Sequence, residues 1–282
     1  MIFITGATGL VGSYVVDKLS QLDIKTLSPN RQTLNLQNTE QLKSFLINNK
    51  ITTIVHLAAE TNVDLCEISK SHAILVNYEI TKIIADFACE KNIRLIYIST
   101  SGVLSGKNRY QYSELDTVDP SNFYSLTKWR SEEYIQRRCN NYLIIRAAWM
   151  VGNTRSDNKK FAEKILHQLK NNVSSVQVVS DLYGSLTTGF RLADFIINNI
   201  HIKSNDIVHC ASKTVASRFH IAQYIKTFCQ STTEVIPVSC NMFPLSAPRG
   251  FSEGLTSEIA SMKFGYDALT WEDELKAFLT QI

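Results

Sequence analysis

The chain has 282 residues, with 29 lysines and arginines against 26 aspartates and glutamates, so its net charge is +3 at pH 7. Hydrophobic residues make up 44% and charged residues 20%, which is typical of a globular protein and excludes disordered and fibrous architectures. The charge is too small for a basic nucleic-acid-binding face, and no apolar stretch approaches the roughly 20 residues that span a bilayer. We therefore expect neither a nucleic-acid nor a membrane partner.

Short apolar runs alternate with longer amphipathic stretches through the first two-thirds of the chain. This alternation is typical of βαβ units and predicts an α/β fold with a Rossmann-like, doubly wound parallel sheet. We expect this domain over residues 1–150 and a smaller, loop-rich C-terminal lobe over residues 151–282, with the chain recrossing to the first domain around residues 189–212. The predicted strands are residues 2–5, 25–27, 53–57, 94–99, 142–146, 176–179 and 207–210, and the predicted helices are residues 10–21, 39–48, 67–90, 124–138 and 160–169.

A glycine-rich loop, Gly6-Ala7-Thr8-Gly9-Leu10-Val11-Gly12, joins the first predicted strand to the first predicted helix. Gly6 suits the tight turn, Gly9 leaves room for a pyrophosphate beside the backbone, and Gly12 allows the helix to pack close to the sheet. The N-terminus of the helix then offers free N–H groups to phosphates. The pattern in this context predicts a dinucleotide-binding loop.

The residues after the second strand indicate which dinucleotide is bound. NAD-binding proteins usually place a carboxylate there for the ribose 2′-hydroxyl, whereas this chain has Leu27-Ser28-Pro29-Asn30-Arg31. Arg31 and the Ser28 hydroxyl could instead receive a 2′-phosphate. We therefore expect NADPH as the cofactor, with NADH still open, and residues 1–150 as an NADP(H)-binding domain.

A tyrosine and a lysine lie four residues apart in Tyr124-Ser125-Leu126-Thr127-Lys128, on one face of a predicted helix. A nearby ammonium favours tyrosinate, so we expect Lys128 to lower the pKa of Tyr124 toward a value useful for proton transfer. The preceding strand ends in Ser99-Thr100-Ser101, at the edge where open α/β sheets bind ligands. These residues predict a catalytic site.

Together these features resemble the extended short-chain dehydrogenases/reductases, and more narrowly the dTDP-4-dehydrorhamnose reductase family. The resemblance covers nearly the whole chain. Besides the glycine loop and the tyrosine–lysine pair, it is carried by residues 56–64, Asn77, Ser99-Thr100, residues 146–149 and residues 181–187.

The resemblance implies an oxidoreductase of rhamnose or related deoxysugar biosynthesis, in which NADPH reduces the C4 ketone of a nucleotide-linked 4-keto-6-deoxyhexose. Tyr124 would donate the proton, Thr100 would hydrogen-bond the ketone oxygen, and Lys128 would hold the nicotinamide ribose. The implied substrate is a nucleotide-diphospho-sugar, and a homodimer is left open. The implied cofactor-binding residues are Gly6, Thr8, Gly9, Leu10, Val11, Gly12, Ser28, Asn30, Arg31, Leu57, Ala58, Ala59, Thr61, Asn77, Ser99 and Lys128, and the implied substrate-binding residues are Val63, Thr100, Tyr124, Trp149 and Arg249.

Relatives with the same core have other functions, and three of these alternatives differ in how well they fit this sequence. A nucleotide-sugar 4,6-dehydratase carries an Asp-Glu pair after the catalytic threonine, where this chain has Ser101-Gly102, so dehydration is disfavoured. A bifunctional epimerase/reductase stays open, as does a non-catalytic NADP-binding regulatory subunit like the methionine adenosyltransferase β subunit. The family usually reads Ser-Thr-Asp-Tyr-Val-Phe where Gly102 and Leu104 stand here, so the hexose is undetermined.

The remaining titratable residues suggest structural or electrostatic roles. The six cysteines have no Cys-x-x-Cys spacing and the histidines no ligand spacing, so we expect reduced thiols, no metal and a cytoplasmic protein without a signal peptide. Asp64 is predicted to cap a helix, with Glu67 three residues on. Arg249, Lys159 and Lys160 are candidates for contact with the substrate diphosphate.

Overall fold

The computed structural model describes residues 1–107, 110–153 and 160–282. Lys159, one of the predicted diphosphate contacts, lies outside these ranges. The described strands are β1 (Ile2–Thr5), β2 (Thr26–Leu27), β3 (Thr53–His56), β4 (Arg94–Thr100), β5 (Gln111–Tyr112), β6 (Tyr142–Ala147), β7 (Trp149–Val151), β8 (Ser175–Val179), β9 (Tyr183–Gly184), β10 (Leu186–Thr188), β11 (Asn205–Cys210), β12 (Ala216–Ser217), β13 (Glu234–Val238) and β14 (Ser252–Leu255).

Helices cover both faces of the largest sheet and pack around the second lobe. The described α-helices are α1 (Leu10–Gln21), α2 (Thr39–Asn48), α3 (Val63–Ile68), α4 (Lys70–Ala73), α5 (Ile80–Glu90), α6 (Phe123–Arg138), α7 (Phe161–Lys170), α8 (Gly189–Asn198), α9 (Arg218–Phe228), α10 (Glu258–Phe264) and α11 (Trp271–Leu279). Within the three described ranges, no helix has both the length and the apolar character that crossing a membrane requires.

The largest sheet has six parallel strands in the order β2-β1-β3-β4-β6-β11. Its strands are continuous apolar runs because both faces are covered. Helices α1, α8 and α10 bury apolar side chains on one face, and α2, α5 and α6 do so on the other. The predicted α/β fold with a doubly wound parallel sheet is confirmed. Chain order reverses between β1 and β3, and such a switch point forms a ligand crevice at the carboxyl ends of the strands.

A second group of elements packs beside the carboxyl edge of this sheet. It contains the pair β7–β10, the sheet β12-β9-β14-β5 and the pair β8–β13, with helices α7, α9 and α11 around a separate apolar cluster. The predicted strand at residues 176–179 is present as β8, and it pairs with β13 here and not with the large sheet. Residues 237–254, in the lobe expected to be loop-rich, include the end of β13 and most of β14. Helix α8 and β11, by contrast, return to the large sheet.

The helix predicted over residues 67–90 is interrupted. Helix α3 ends before Ser69, whose backbone leaves the helical region at φ −112° and ψ 71°. The chain then continues through α4 and a π-helical segment, Ile74–Glu79, into α5. The apolar periodicity persists across the break because each helical piece buries one side against the molecule, so the pattern does not reveal the interruption.

Candidate active site

The glycine loop makes a tight turn between β1 and α1. Gly6 has φ +69°, and the Gly9 N–H donates to the Gly6 carbonyl at 2.9 Å. A Cβ on Gly6 would lie 2.8 Å from the Ala58 nitrogen, and a Cβ on Gly12 would lie 2.1 Å from the Gly6 oxygen. Gly9 is exposed and begins α1 without a side-chain cap. The first N–H groups of α1 therefore stay free to bind an anion.

Hydrogen bonds of Thr5 and His56 join the carboxyl ends of β1 and β3 behind this loop. The Thr5 hydroxyl lies 2.7 Å from His56 Nδ1, and its oxygen accepts the Leu57 and Ala58 N–H groups, each at 3.2 Å. Burial, and secondly the charge of Lys128, lowers the pKa of His56 to about 3, so the ring is neutral. The sequence pattern does not reveal this pair, because one polar residue at the end of a buried strand looks like an ordinary core position.

A cleft of about 410 Å³ follows the carboxyl ends of β1, β3 and β4. It brings together most of the predicted cofactor site and ends at two predicted catalytic residues. The predicted residues that line it are Gly6, Thr8, Gly9, Leu10, Val11, Gly12, Asn30, Arg31, Leu57, Ala58, Ala59, Thr61, Ser99, Thr100 and Tyr124. The predicted residues outside its lining are Ser28, Val63, Asn77, Lys128, Trp149 and Arg249.

The sequence patterns left one wall of the cleft unidentified. Its apolar side chains come from β1, from the segment after β2 and from the helical segment before α5, and flat apolar walls suit an aromatic base. Leu34 and Leu36, two residues apart after a loop, are the signal that could have indicated it. The lining residues that were not predicted are Phe3, Thr5, Ala7, Pro29, Leu34, Asn35, Leu36, Gln37, Val76, Ile80, Ile98, Ala147, Ala148 and Met150.

Arg31 lies exposed at the rim of the cleft, on a loop held by Asn30. The Asn30 Oδ1 atom accepts the backbone N–H groups of Gln32 and Thr33, each at 3.0 Å. This turn occupies the Asn30 side chain and leaves the Arg31 guanidinium available to a ligand. Residues 27–37 include no carboxylate, so nothing in the segment opposes a phosphate.

Two further observations agree with a dinucleotide in the cleft. The Ser99 hydroxyl oxygen is buried in the cleft wall and has no hydrogen-bond partner within the described residues. Lys160 also lines the cleft, on the side of the second lobe, while its backbone N–H donates to Glu163 at 2.9 Å. An unpartnered buried hydroxyl and a lysine at a phosphate-sized crevice fit a polar, anionic ligand.

Tyr124 reaches the end of the cleft because α6 begins one residue earlier. Asn122 caps this helix by accepting the Ser125 N–H at 3.0 Å. Burial, and after it the neighbouring Cys66 and Glu253, raises the pKa of Tyr124, while a hydrogen bond with Thr100 opposes the rise. The phenol therefore keeps its proton at neutral pH, which is the state that a proton donor needs.

Lys128 lies one turn further along α6 and is buried. Its Nζ atom is 4.1 Å from the centroid of the Tyr97 ring. Burial lowers the pKa of Lys128 to about 7, although Glu132 opposes this shift. The expected lowering of the Tyr124 pKa by an adjacent ammonium is therefore wrong, because burial dominates both groups.

Asn77 supports the site from behind. It lies in the π-helical segment, where its Oδ1 atom accepts the Glu60 N–H at 2.8 Å. Its amide nitrogen donates to the Glu60 carbonyl at 3.1 Å and to Thr127 Oγ1 at 3.2 Å. Asn77 thus ties the loop after β3 to α6. Cys66 is buried beside it, and burial raises the pKa of this thiol to about 11.

The predicted substrate residues lie around the second lobe. Trp149 opens β7, and Gly184 packs so closely on it that a Cβ there would lie 2.6 Å from the indole ring. Arg249 forms an ion pair with Asp64 at 2.8 Å. The expected capping role of Asp64 is wrong, because Asn62 caps α3 by accepting the Leu65 N–H at 3.1 Å.

Known proteins resemble the chain over its whole length. A family model described as the RmlD substrate binding domain matches residues 1–282. The structure of dTDP-4-dehydrorhamnose reductase from Yersinia enterocolitica is 37% identical over 99% of this chain and 98% of that chain, with a TM-score of 0.93. The dTDP-4-dehydrorhamnose reductase of Bacillus anthracis, solved in complex with NADP, is 25% identical over 100% and 99% of the two chains, with a TM-score of 0.92. A dTDP-4-keto-6-deoxy-D-glucose reductase of Streptomyces niveus is 28% identical over 78% of this chain and 75% of its own.

Proposed function

Because the chain belongs to the RmlD substrate-binding domain family, we propose that it is an NADPH-dependent reductase of a nucleotide-linked 4-keto-6-deoxyhexose. The observation that carries the proposal is the single cleft, which begins at the glycine loop and ends at Thr100 and Tyr124. A dinucleotide bound along such a cleft brings its nicotinamide to a hydroxyl pair suited to a ketone. The relatives named as dTDP-sugar reductases support a dTDP-linked sugar as the substrate.

Different residues of the cleft would bind different parts of the cofactor. The first turn of α1 would bind the pyrophosphate, with Gly9 leaving the backbone accessible. Arg31 would bind the 2′-phosphate, and the wall around Leu34 and Leu36 would contact the adenine. When bound, NADPH would supply the hydride for the ketone carbon. Lys128, buried below Tyr124, would hold the nicotinamide ribose.

Thr100 would stabilise the negative charge that develops on the ketone oxygen, and Tyr124 would donate the proton. As the ketone becomes an alkoxide, the Tyr124 phenol donates its proton to the oxygen, and the Thr100 hydroxyl stabilises the charge by a hydrogen bond. The raised pKa of Tyr124 keeps the donor protonated until the alkoxide develops. Asn77 and Asn122 act on the position of α6 and touch none of the reacting atoms.

The second lobe would bind the nucleotide sugar. Residues 151–282, which include Arg249, would contribute most of it, and Val63 and Trp149 would border it from neighbouring segments. We place the reaction in the cytoplasm, where NADPH is made and where six free cysteines stay reduced.

A panel of keto sugars tests the proposal. Purified protein is given dTDP-, UDP- and GDP-linked 4-keto-6-deoxyglucose with NADPH or NADH, and consumption of the reduced cofactor is followed by absorbance. We expect NADPH to be consumed with the dTDP-linked sugar. Binding of NADPH without turnover of any keto sugar would contradict a reductase and would favour a regulatory role.

A further inference from the structure

Arg218 is a partly buried cation beside the proposed sugar site. It is the first residue of α9, and its guanidinium carbon lies 5.3 Å from the centroid of the Trp149 ring and 5.1 Å from that of Phe161. Nothing in the described part of the chain forms a hydrogen bond or ion pair with it. Burial lowers the pKa of Arg218. The two rings orient the guanidinium, and its N–H donors have no acceptor among the described residues.

Glu253 approaches the same region from β14. Its Oε2 atom accepts the Ser101 hydroxyl at 3.1 Å, and Ser101 directly follows Thr100. Leu255, on the same face of β14, is buried against Val103 and the core beneath the catalytic loop. Among the described residues, Ser101 is the one hydrogen-bond partner of the Glu253 carboxylate. The Glu253 carboxylate therefore lies against Ser101 and can accept further hydrogen bonds.

The two charges are near each other but not joined. Glu253 raises the pKa of Arg218, yet no ion pair connects them in the described ranges. Glu253 contacts Ser101, next to Thr100, and Arg218 stacks on Trp149, between two residues that line the cleft, so the pair lies near the reacting end of the cleft. A guanidinium can only donate hydrogen bonds and a carboxylate can only accept them. A hydroxyl group, which does both, satisfies the two together.

We propose that Arg218 and Glu253 bind hydroxyl groups of the sugar ring and thereby select the hexose. Arg218 donates to a sugar oxygen while stacked on Trp149, and Glu253, oriented by Ser101, accepts a sugar O–H. This inference rests on the proposed function, since it concerns the same site. It assigns the sugar end of the substrate to two residues that the sequence patterns did not single out.

The difference between a nucleotide and its sugar conjugate isolates these contacts. Binding of dTDP and of dTDP-glucose is measured by calorimetry for the wild type, Glu253→Gln and Arg218→Met, where methionine keeps the apolar stem between the rings. We expect dTDP-glucose to bind each variant about tenfold or more weakly, as for a lost charged hydrogen bond, and dTDP to bind unchanged. Glu234→Gln and Arg137→Met remove exposed charges elsewhere and serve as controls.

The split between KM and kcat separates the charge of Glu253 from its hydrogen bond. Besides burial, the groups that act on the pKa of Tyr124 are Cys66, Glu253, Thr100 and Glu60. Glu253→Gln removes an anion and so lowers the pKa of Tyr124, and we expect kcat to change together with the KM for the sugar. Ser101→Ala keeps the anion, so we expect a raised KM for the sugar and an unchanged kcat.

The outcomes distinguish this inference from the proposed function. A wild type that neither binds dTDP-glucose nor reduces any keto sugar overturns the proposed function and the inference with it. A wild type that turns over, with variants that bind dTDP-glucose as tightly as it does, overturns the inference alone. Equal weakening for dTDP and dTDP-glucose overturns it as well, because the residues would then serve the nucleotide or the fold.

Discussion

Tyr124 is buried enough that its phenol keeps its proton at neutral pH. Removing the hydroxyl removes the proposed proton donor and leaves the cofactor contacts in place. We predict that Tyr124→Phe lowers kcat about 10²- to 10⁴-fold, the usual contribution of a general acid, with NADPH affinity within a few-fold of the wild type. Stopped-flow turnover and fluorescence titration measure the two quantities. Tyr134→Phe, on the outer side of the same helix, is the control, and a fully active Tyr124→Phe would contradict the assigned role.

We predict that Arg31 gives the protein its preference for NADPH over NADH. Its exposed side chain lines the cleft on a segment without carboxylates. Losing a charged hydrogen bond to the 2′-phosphate costs about 1.5–3 kcal/mol, so Arg31→Ala should raise the KM for NADPH by about tenfold or more. The KM for NADH, which has no 2′-phosphate, should not change. An equal loss with both cofactors would place Arg31 elsewhere.

The residues of the site were predictable where local geometry fixes them. The glycine loop, Thr100 and the Tyr124–Lys128 spacing each require only a strand end or one helical turn, and the structure places these residues along or just behind the cleft. Thr5, Glu253 and Arg218 could not be predicted in the same way. Their roles depend on neighbours far away in sequence, and single polar or apolar residues carry no spacing that reveals such partners.

The turn from β1 into α1 is the element on which cofactor binding depends most. A Cβ on Gly12 would lie 2.1 Å from the Gly6 oxygen, whereas one on Gly9 would lie 3.2 Å from it. We predict that Gly12→Ala forces α1 away from the loop, costing about 1–3 kcal/mol of stability and most of the NADPH affinity. Gly9→Ala should have a melting temperature close to that of the wild type. It should bind NADPH weakly, because the added methyl group lies where the pyrophosphate would bind. Calorimetric melting and titration check both, and equal melting temperatures for the two variants would contradict the packing argument.

Helices were predicted best where one apolar periodicity continues and no tertiary contact breaks the helix. Helices α1 and α2 match their predicted bounds. The helix expected over residues 67–90 breaks at Ser69, near Glu67, whose carboxylate accepts the Phe123 N–H of α6 at 2.9 Å. The strand at residues 176–179 was found, but its partner β13 begins more than 50 residues later, and local patterns do not specify such pairing.

At the scale of the whole molecule, two buried histidines couple stability to pH. Burial, with a charge from Lys128 for His56 and from Arg146 for His209, lowers both pKa values from 6.5 to about 3. Between these values the unfolded chain binds a proton at each histidine and the folded chain does not. Stability is therefore retained above about pH 6.5 and lost as the pH falls toward 3, by about 2 kcal/mol for each histidine at pH 5.

The variant His209→Gln tests this coupling. Glutamine keeps a donor for the Thr256 carbonyl and an acceptor for Arg146, but it cannot titrate. Between pH 5 and 6 the free energy of unfolding should depend on pH less steeply than in the wild type, by up to about 1.4 kcal/mol per pH unit. Urea unfolding across this range measures the slope. His201→Gln, at an exposed position, should leave it unchanged, and an unaltered slope in His209→Gln would refute the coupling.

The fold and family were predictable from the chain as a whole, because the βαβ alternation and the motifs extend over its full length. Both predictions are confirmed, by the parallel sheet and by the family match over residues 1–282. The boundary at residue 150 stays a prediction. Strand β5 precedes it in sequence yet pairs with β14 of the second lobe, so the lobes exchange segments that a single cut cannot separate.

The most direct test of hydride transfer follows the hydrogen itself. Wild-type protein is given dTDP-4-keto-6-deoxyglucose and NADPH that carries deuterium at the transferable position of the nicotinamide, and the product is examined by NMR. The account predicts deuterium at C4 of the sugar, with no label at the neighbouring carbons. A product without deuterium at C4, or an unchanged keto sugar in the presence of bound NADPH, would contradict it.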